Sequence, residues 1–536
     1  MNYFFRKIAA GVLGAVVSSF VSACAQNADP IGVTVLQSVT TNLNGMGVHV
    51  AQPEAGFDQV TNWEVDPITV SRLPGLITYI SAGGSTTNFP NGLSSESGHA
   101  DGVAQYFYGL PNGVATNVAR VDNYDVNYFY NNIIAAAFPA NIGDPVVNQS
   151  FIFCEADYSH MPVSDEQNID SQYDDYAAQY KILFISGAGN GGPTNQSRIY
   201  PAATCYNGIG VAAYGGNSCT GPTLDNGRAK PDITAPAGIT SFSTPQVAGA
   251  AAVLLQAGLR GDGGGDTNSA ADIRTLKALL LNGAVKPADW TNNVPSPLDT
   301  RYGAGVLNVF NSYKQLAGGK HGYIVSTTVA AGGAHPPTGA TGTVGVLSGW
   351  DFNTNSSSSF PSAQDGVKHY YFNVTNSAGN AAFTATATLA WNRQQNQTGI
   401  NNLDLFLYDA VSSNLILCST SLVDNVEHIF VPRLPPGRYD LQVWMSASGV
   451  SSFNNSETYA LAWEFFSENL SVSKAGNNVA LSWPVYPAGF TVMTTTNLAP
   501  ANWMPFTNAT AVITNQQNQW LLNPANASQF FRLQRP

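Results

Sequence analysis

The sequence predicts two architectures in series: an α/β domain with a mostly parallel sheet flanked by helices, then all-β sandwich domains. Three observations carry this. From about residue 29 to 319, short apolar strands alternate with helical stretches and Gly-rich turns. Beyond Gly319 short β-rich runs recur at regular spacing between turn residues. Charged residues are only 10% of the 536, while aromatics reach 11% and there are 51 Gly and 30 Pro, a composition of neutral, strand-rich surfaces.

The same composition excludes several classes. Disordered chains are rich in charge and poor in aromatics. Coiled coils need Glu, Lys and Leu in bulk. The net charge is -12 and no basic block exists, so nucleic acid is not an expected partner.

The first segment, residues 1–25, reads as an export signal. Arg6 and Lys7 precede an apolar run over residues 8–21, and Ser22-Ala23-Cys24-Ala25 follows, the charge, apolar core and small-residue exit of a secretory leader. The run is shorter than the about 20 residues a membrane span needs. Two fates are open at its end. Ala23-Cys24-Ala25 suits ordinary release to the medium. Val21-Ser22-Ala23-Cys24 resembles a bacterial lipobox, which would acylate Cys24 and tether the protein to the outer membrane.

The α/β domain spans residues 29–319. Residues 48–51, 146–152 and 182–185 read as strands, 211–213 as a weaker one, and 244–256 and 272–281 as helices. Residues 320–467 are expected to form a β-sandwich, from runs at 370–374, 385–391, 403–408, 428–431 and 439–444, with Pro435-Pro436-Gly437 turning between two of them. A last β module, 468–536, carries runs at 479–483, 490–492 and 530–533 and looks like a fibronectin-III-type or immunoglobulin-like fragment. Four cysteines remain after Cys24 and none forms a C-x-x-C pair, which argues against a zinc ribbon or a thioredoxin-type centre. Cys205 and Cys219 close a short loop and are either bridged or two buried thiols. Cys154 and Cys418 read as core residues.

The densest chemistry lies in Lys230-Pro231-Asp232-Ile233-Thr234-Ala235-Pro236 and in Thr240-Ser241-Phe242-Ser243-Thr244-Pro245-Gln246-Val247-Ala248-Gly249. A serine just before a proline-started helix lies at the helix N-terminus. Unpaired N–H groups and the helix dipole there favour developing negative charge. The plain alternative is an N-cap. Residues 240–249 resemble the nucleophile segment of the subtilisin-like serine proteases, Gly-Thr-Ser-(Met/Phe)-(Ala/Ser)-x-Pro-x-Val-Ala-Gly, with Ile239 in place of the first Gly.

That resemblance extends over roughly residues 44–315 and implies roles. Ser241 is the nucleophile. His99, in Gly98-His99-Ala100-Asp101-Gly102-Val103-Ala104, resembles the general base of Gly-His-Gly-Thr-His-Val-Ala. Gly45-Met46-Gly47-Val48-His49-Val50-Ala51-Gln52-Pro53-Glu54-Ala55-Gly56 resembles Gly-x-Gly-Val-x-Val-Ala-x-x-Asp-(Thr/Ser)-Gly, so Glu54 stands where the family has its catalytic Asp. A carboxylate one methylene longer can still orient the imidazole and stabilise the imidazolium; Asp58 and Asp101 are the other acids within reach. Gly187-Ala188-Gly189-Asn190-Gly191-Gly192 resembles Ala-Gly-Asn-x-Gly, whose Asn donates to the oxyanion. The same residues spell G-x-G-x-x-G, but Pro193, Asn195 and Pro201 leave no helix to open a dinucleotide site. The related sedolisins carry Asp at the oxyanion position and lack the His, unlike Asn190 and His99.

For substrate binding the resemblance implies Ser150 and Phe151 on a strand that pairs with an extended peptide. Gly187, Ala188 and Gly189 would form the opposite side and part of the S1 wall, with Tyr200-Pro201-Ala202 nearby. Two departures remain. The link from Pro236 to Ser241 is short, and the first strand begins about 20 residues after the leader, which leaves no room for a folding pro-segment. The expected protein is an exported serine endopeptidase with a Ser-His-Glu triad. Its alternative is a catalytically inactive subtilisin fold used for surface binding or adhesion. A polypeptide is the expected partner, with a monomer, no nucleic acid and no membrane contact except through Cys24. No cofactor is required; calcium at exposed Asp404 and Asp409 is open but not indicated.

Overall fold

The computed structural model describes residues 4–7, 30–56, 62–90, 92–191, 198–324, 341–356, 366–375, 382–445 and 456–467, and from there 470–476, 478–484, 491–498, 501–506, 512–514, 517–523 and 529–534. Asp58, Cys24 and the apolar run of the expected leader lie outside the described residues.

An eight-stranded sheet positions the site. Its strands are drawn from β1 (His49–Glu54), β2 (Ile77–Ile80), β3 (Thr86–Asn88), β4 (Arg120–Asp125), β5 (Val146–Gln149), β6 (Phe151–Cys154), β7 (Leu183–Gly187), β8 (Ile209–Tyr214) and β9 (Ile233–Pro236). The order is β9-β8-β7-β5-β1-β4-β2-β3. Neighbours run parallel except β2 and β3. Parallel strands covered on both faces are apolar on both, which is why residues 182–185 read as an unbroken apolar run. β6 stands outside this sheet. The expected strand over 146–152 is therefore two strands, broken at Ser150.

Five helices matter here: α1 (Gly98–Phe107), α2 (Val163–Tyr180), α3 (Thr240–Arg260), α4 (Ile273–Asn282) and α5 (Val309–Ala317). α3 is buried along most of its length and packs on β5, β7 and β8. Gly249 also lets the helix approach the segment between α1 and β4: a Cβ there would stand 2.6 Å from Val114 Cβ. The helix stops at Gly261, whose φ of 87° suits glycine. The proline-start reading needs correction. Pro245 lies inside α3, because the helix begins at Thr240. Lacking an N–H, Pro245 leaves the Ser241 carbonyl without its i+4 donor. Ser150 Oγ fills the gap at 3.0 Å.

Beyond the α/β region, two four-stranded antiparallel sheets face each other as a sandwich. With β10 (Ser348–Ser356), β11 (Val367–Val374), β12 (Phe383–Trp391), β13 (Leu403–Asp409), β14 (Leu415–Ser419), β15 (Val426–Leu434), β16 (Gly437–Met445) and β17 (Ser456–Ser467), the orders are β10-β17-β12-β15 and β11-β16-β13-β14. Tyr370, Phe372, Leu405, Leu441 and Trp463 fill the space between them. β12 is buried at every residue. Its Ala385, Ala387 and Leu389 enter the sandwich core, while Thr386 and Thr388, on the other face, donate to Asn282 Oδ1 of α4 at 2.9 and 3.0 Å. Trp350, Ala390, Ala460 and Ala462 belong to the same core as the α/β helices. The described residues between 471 and 534 form two further antiparallel sheets around Leu481, Trp483, Val492 and Trp520.

Candidate active site

The parallel sheet brings β1 and α1 together at one end. Glu54 is the last residue of β1 and is fully buried. α1 is capped by Ser97, whose side chain accepts the Ala100 N–H at 3.3 Å, so His99 sits in the first helical turn. Glu54 Oε2 lies 3.0 Å from His99 Nδ1. The extra methylene of Glu therefore does not prevent the carboxylate from meeting the imidazole. Asp101 accepts the Asp66 N–H at 2.7 Å instead. Burial, then the charges of Asp66, Glu96 and Glu54, push Asp101 up to about 7.

The second half of the site is the start of α3. The Phe242 ring lies 6.2 Å from the His99 ring and stacks on Tyr106 at 5.4 Å. A Cβ on Gly102 of α1 would meet Phe242 at 2.8 Å, so the two helix starts are packed closely beside Ser241. Ser241 Oγ and His99 Nε2 are both buried and have no hydrogen-bond partner among the described residues. In enzymes generally, hydrogen bonds between a nucleophile and its base are often long without substrate. The Ser241 N–H belongs to the first turn, where no intrahelical acceptor exists. Ile239 adopts φ -148° and ψ 158°, an extended conformation open to a β-branched residue. Its replacement of glycine costs no backbone strain.

Asn190 follows β7 and faces the same helix start. Its Oδ1 accepts from the Thr240 N–H at 2.9 Å and from the Thr240 hydroxyl at 2.8 Å. Both groups donate, which assigns the oxygen end of the amide and turns the NH2 end away from Thr240. Beside it, Cys219 Sγ accepts the Gly191 N–H at 3.1 Å, and burial pushes this thiol up to about 12.

The remaining expected residues have definite places. Ser150 is buried and its hydroxyl is committed to Ser241 O and to Asn148 Nδ2; only its backbone is left to meet a peptide. Phe151 is buried, its ring 5.8 Å from that of Phe153. The edge of β6 carries an antiparallel strand, Phe4–Lys7. The carbonyls of Ala188 and Gly189 accept from the N–H groups of Tyr200 and Cys219, and Gly187, Ala188 and Gly189 are all buried, so the two carbonyls are committed within the fold. A Cβ on Gly189 would strike Tyr200 at 2.7 Å, and Tyr200 stacks at 4.1 Å on His160, which faces Glu166 at 2.7 Å. Tyr200 belongs to the motif pattern, but its stacking partner His160 is invisible in it. So is Gln52, a buried amide bonded to Glu54; a glutamine within an apolar strand was its one available signal.

One open alternative is decided and one reading is corrected. Cys205 and Cys219 are free thiols, in separate cores: Cys205 with Phe184 and Ile209, Cys219 with Cys154 and Tyr200. Asp404 is buried rather than exposed, and burial pushes it up to about 7. Asp409 caps a turn through the N–H groups of Val411 and Ser412. Among the described residues no group of three or more His, Cys, Asp and Glu is placed to hold a metal.

The family model described as Peptidase_S8, Subtilase family, matches residues 82–305. Those residues are a subtilase domain. His99, Asn190 and Ser241 fall inside the match and Glu54 falls before it, so Glu54 stands on its geometry. No curated protein matches the chain. Similar solved structures include tripeptidyl peptidase 2, at 12% identity and TM-score 0.31, over 77% of this chain and 44% of that one. The PatG macrocyclase in complex with peptide is 15% identical with TM-score 0.36, over 53% of this chain and 95% of that one. Dimeric latent PorU from Porphyromonas gingivalis is 10% identical with TM-score 0.15, over 41% and 22%. This chain thus spans less than half the length of tripeptidyl peptidase 2. The subtilase domain is of the subtilisin-like peptidase kind.

Proposed function

We propose that the chain is an exported serine endopeptidase working through Ser241, His99 and Glu54. The observation that carries this is the 3.0 Å contact between Glu54 Oε2 and His99 Nδ1. It supports Glu54 as the orienting acid and leaves Nε2 as the nitrogen that exchanges a proton. Ser241 Oγ attacks the peptide carbonyl carbon while its proton passes to His99 Nε2. The carbonyl electron pair moves onto oxygen, where the Asn190 NH2 and the Ser241 N–H donate to it. Collapse breaks the C–N bond, and the leaving amine takes the proton from His99. Water then repeats the sequence, frees the acid and restores Ser241. The pairing of Phe4–Lys7 with β6 supports an extended peptide as ligand, bound by strand addition.

Export rests on the leader-like segment, with release or a lipid tether at Cys24. A polypeptide partner, a monomer and no required cofactor complete the proposal. The rival, an inactive fold used for binding, draws on the buried Ser241 Oγ, which has no hydrogen-bond partner among the described residues. A fluorophosphonate probe separates the two. Labelling of the wild type that disappears in Ser241→Ala and His99→Ala is expected; a folded wild type that neither labels nor cleaves peptides sinks the enzyme.

A further inference from the structure

We propose that Gln52, held by Tyr108, is a positioning residue that locks Glu54 onto His99. This rests on the reading of Glu54 and His99 as acid and base. Glu54 has one more side-chain torsion than Asp, and its carboxylate is fully buried. One oxygen faces His99. The other needs a donor, since an unmet buried carboxylate oxygen is costly.

Gln52 supplies that donor. Strand alternation puts residues 52 and 54 on one face of β1, and Gln52 Nε2 donates to Glu54 Oε1 at 2.9 Å. The same NH2 donates to the Ala100 carbonyl at 3.0 Å. Both partners only accept, which fixes the amide orientation. Gln52 Oε1 therefore faces Tyr108 and accepts its hydroxyl proton at 2.8 Å. Burial, then the Glu54 charge, hold the Tyr108 phenol well above its ordinary value, so it stays a donor. One buried amide thus ties the strand that ends in the acid to the helical turn that carries the base. A shorter Asp would stand farther from such an amide, which gives Gln52 a role specific to the Glu-bearing site.

The test uses the full chain. Gln52→Leu should lower kcat by about 100-fold, the scale of a small misplacement of a reacting group, with KM little changed. In a Glu54→Gln background the same change should have no further effect on kcat, because its target is gone. Tyr108→Phe keeps the ring and should act in the same direction, more weakly, should Gln52→Leu fold poorly. A readout independent of turnover is the low-field proton shared by His99 Nδ1 and Glu54 in NMR spectra, assigned by its loss in His99→Ala. It should weaken or vanish in Gln52→Leu and Tyr108→Phe. An equal kcat loss in the Glu54→Gln background, an unchanged proton signal in both variants, or no such signal in the wild type would overturn the proposal. A wild type that shows the signal but takes no fluorophosphonate overturns the peptidase reading alone, and the effect of the variants on the signal still decides Gln52.

Discussion

His99 in the subtilase domain and His369 in the sandwich each set Nδ1 against a buried carboxylate, at 3.0 Å from Glu54 and 2.7 Å from Asp440. Each leaves Nε2 buried, with no hydrogen-bond partner among the described residues. Their surroundings differ. His99 stands in the first turn of one helix and packs through Phe242 on the first turn of another, the turn that carries Ser241 and holds the Asn190 amide through Thr240. His369 lies mid-strand on β11, its ring stacked 5.8 Å from Tyr371, and Asp440 Oδ2 also accepts from Gln442 at 2.7 Å. A His-carboxylate pair is therefore not a site by itself. The helix starts, with a Ser241 N–H that has no intrahelical acceptor and the hydroxyl it carries, are what a sheet cannot supply.

Substitutions can break this comparison. Ser241→Ala or His99→Ala should lower kcat on a peptide substrate by about a million-fold, while His369→Gln should leave it within about twofold under folding conditions, as expected for a change far from the reacting groups. Glu54→Gln should cost about 10⁴-fold, and Asn190→Ala about 100- to 1,000-fold. Near-normal turnover in Glu54→Gln would remove the acid from the proposed triad. The sandwich pair should respond in stability instead. Asp440→Leu leaves His369 Nδ1 and the Gln442 amide without their acceptor and should cost about 1 to 3 kcal/mol in denaturant unfolding, with kcat kept.

Smaller effects sharpen the contrast. Unfolded, Asp101 ionises near the ordinary value of about 4; folded, it holds its proton to about 7. The folded state binds the extra proton between those values, so stability should fall as pH rises through that window. Thermal melts of Asp101→Asn should show a flatter slope there. An unchanged slope would assign the dependence to another group. Asn282→Ala strips the partner of two buried threonine hydroxyls and should cost about 1 to 3 kcal/mol, read as a lower denaturant midpoint.

The sequence made the chemical residues legible where several special types crowd into one short segment, as at residues 98–104, 187–192 and 240–249. Strand cores such as 182–185 were legible because burial on both faces leaves an apolar run. α2 was not: Glu166, Asp170 and Asp174 are buried on it beside Ile169 and Tyr173, and their ion pairs and hydrogen bonds blur the helical period. The start of α3 was misplaced because Pro245 is tolerated only through Ser150, a partner 91 residues away. Gln52 stayed hidden in a position where the motif accepts any residue. The thiol pair stayed undecided because loop length says nothing about which core each sulfur enters.

The texture change near Gly319 has a practical side. Across it, Trp350 Nε1 donates to the Leu316 carbonyl at 3.1 Å, Arg393 meets Asp174 at 3.1 Å and Asp175 at 2.6 Å, and Asp424 accepts the Ala229 N–H at 2.8 Å. A border visible in composition is here not a line along which the molecule can be cut. A fragment ending at 319 would expose the greasy flank of α4 and strand its polar groups, and would be expected to aggregate before it could be assayed. The smallest unit worth expressing runs through β17.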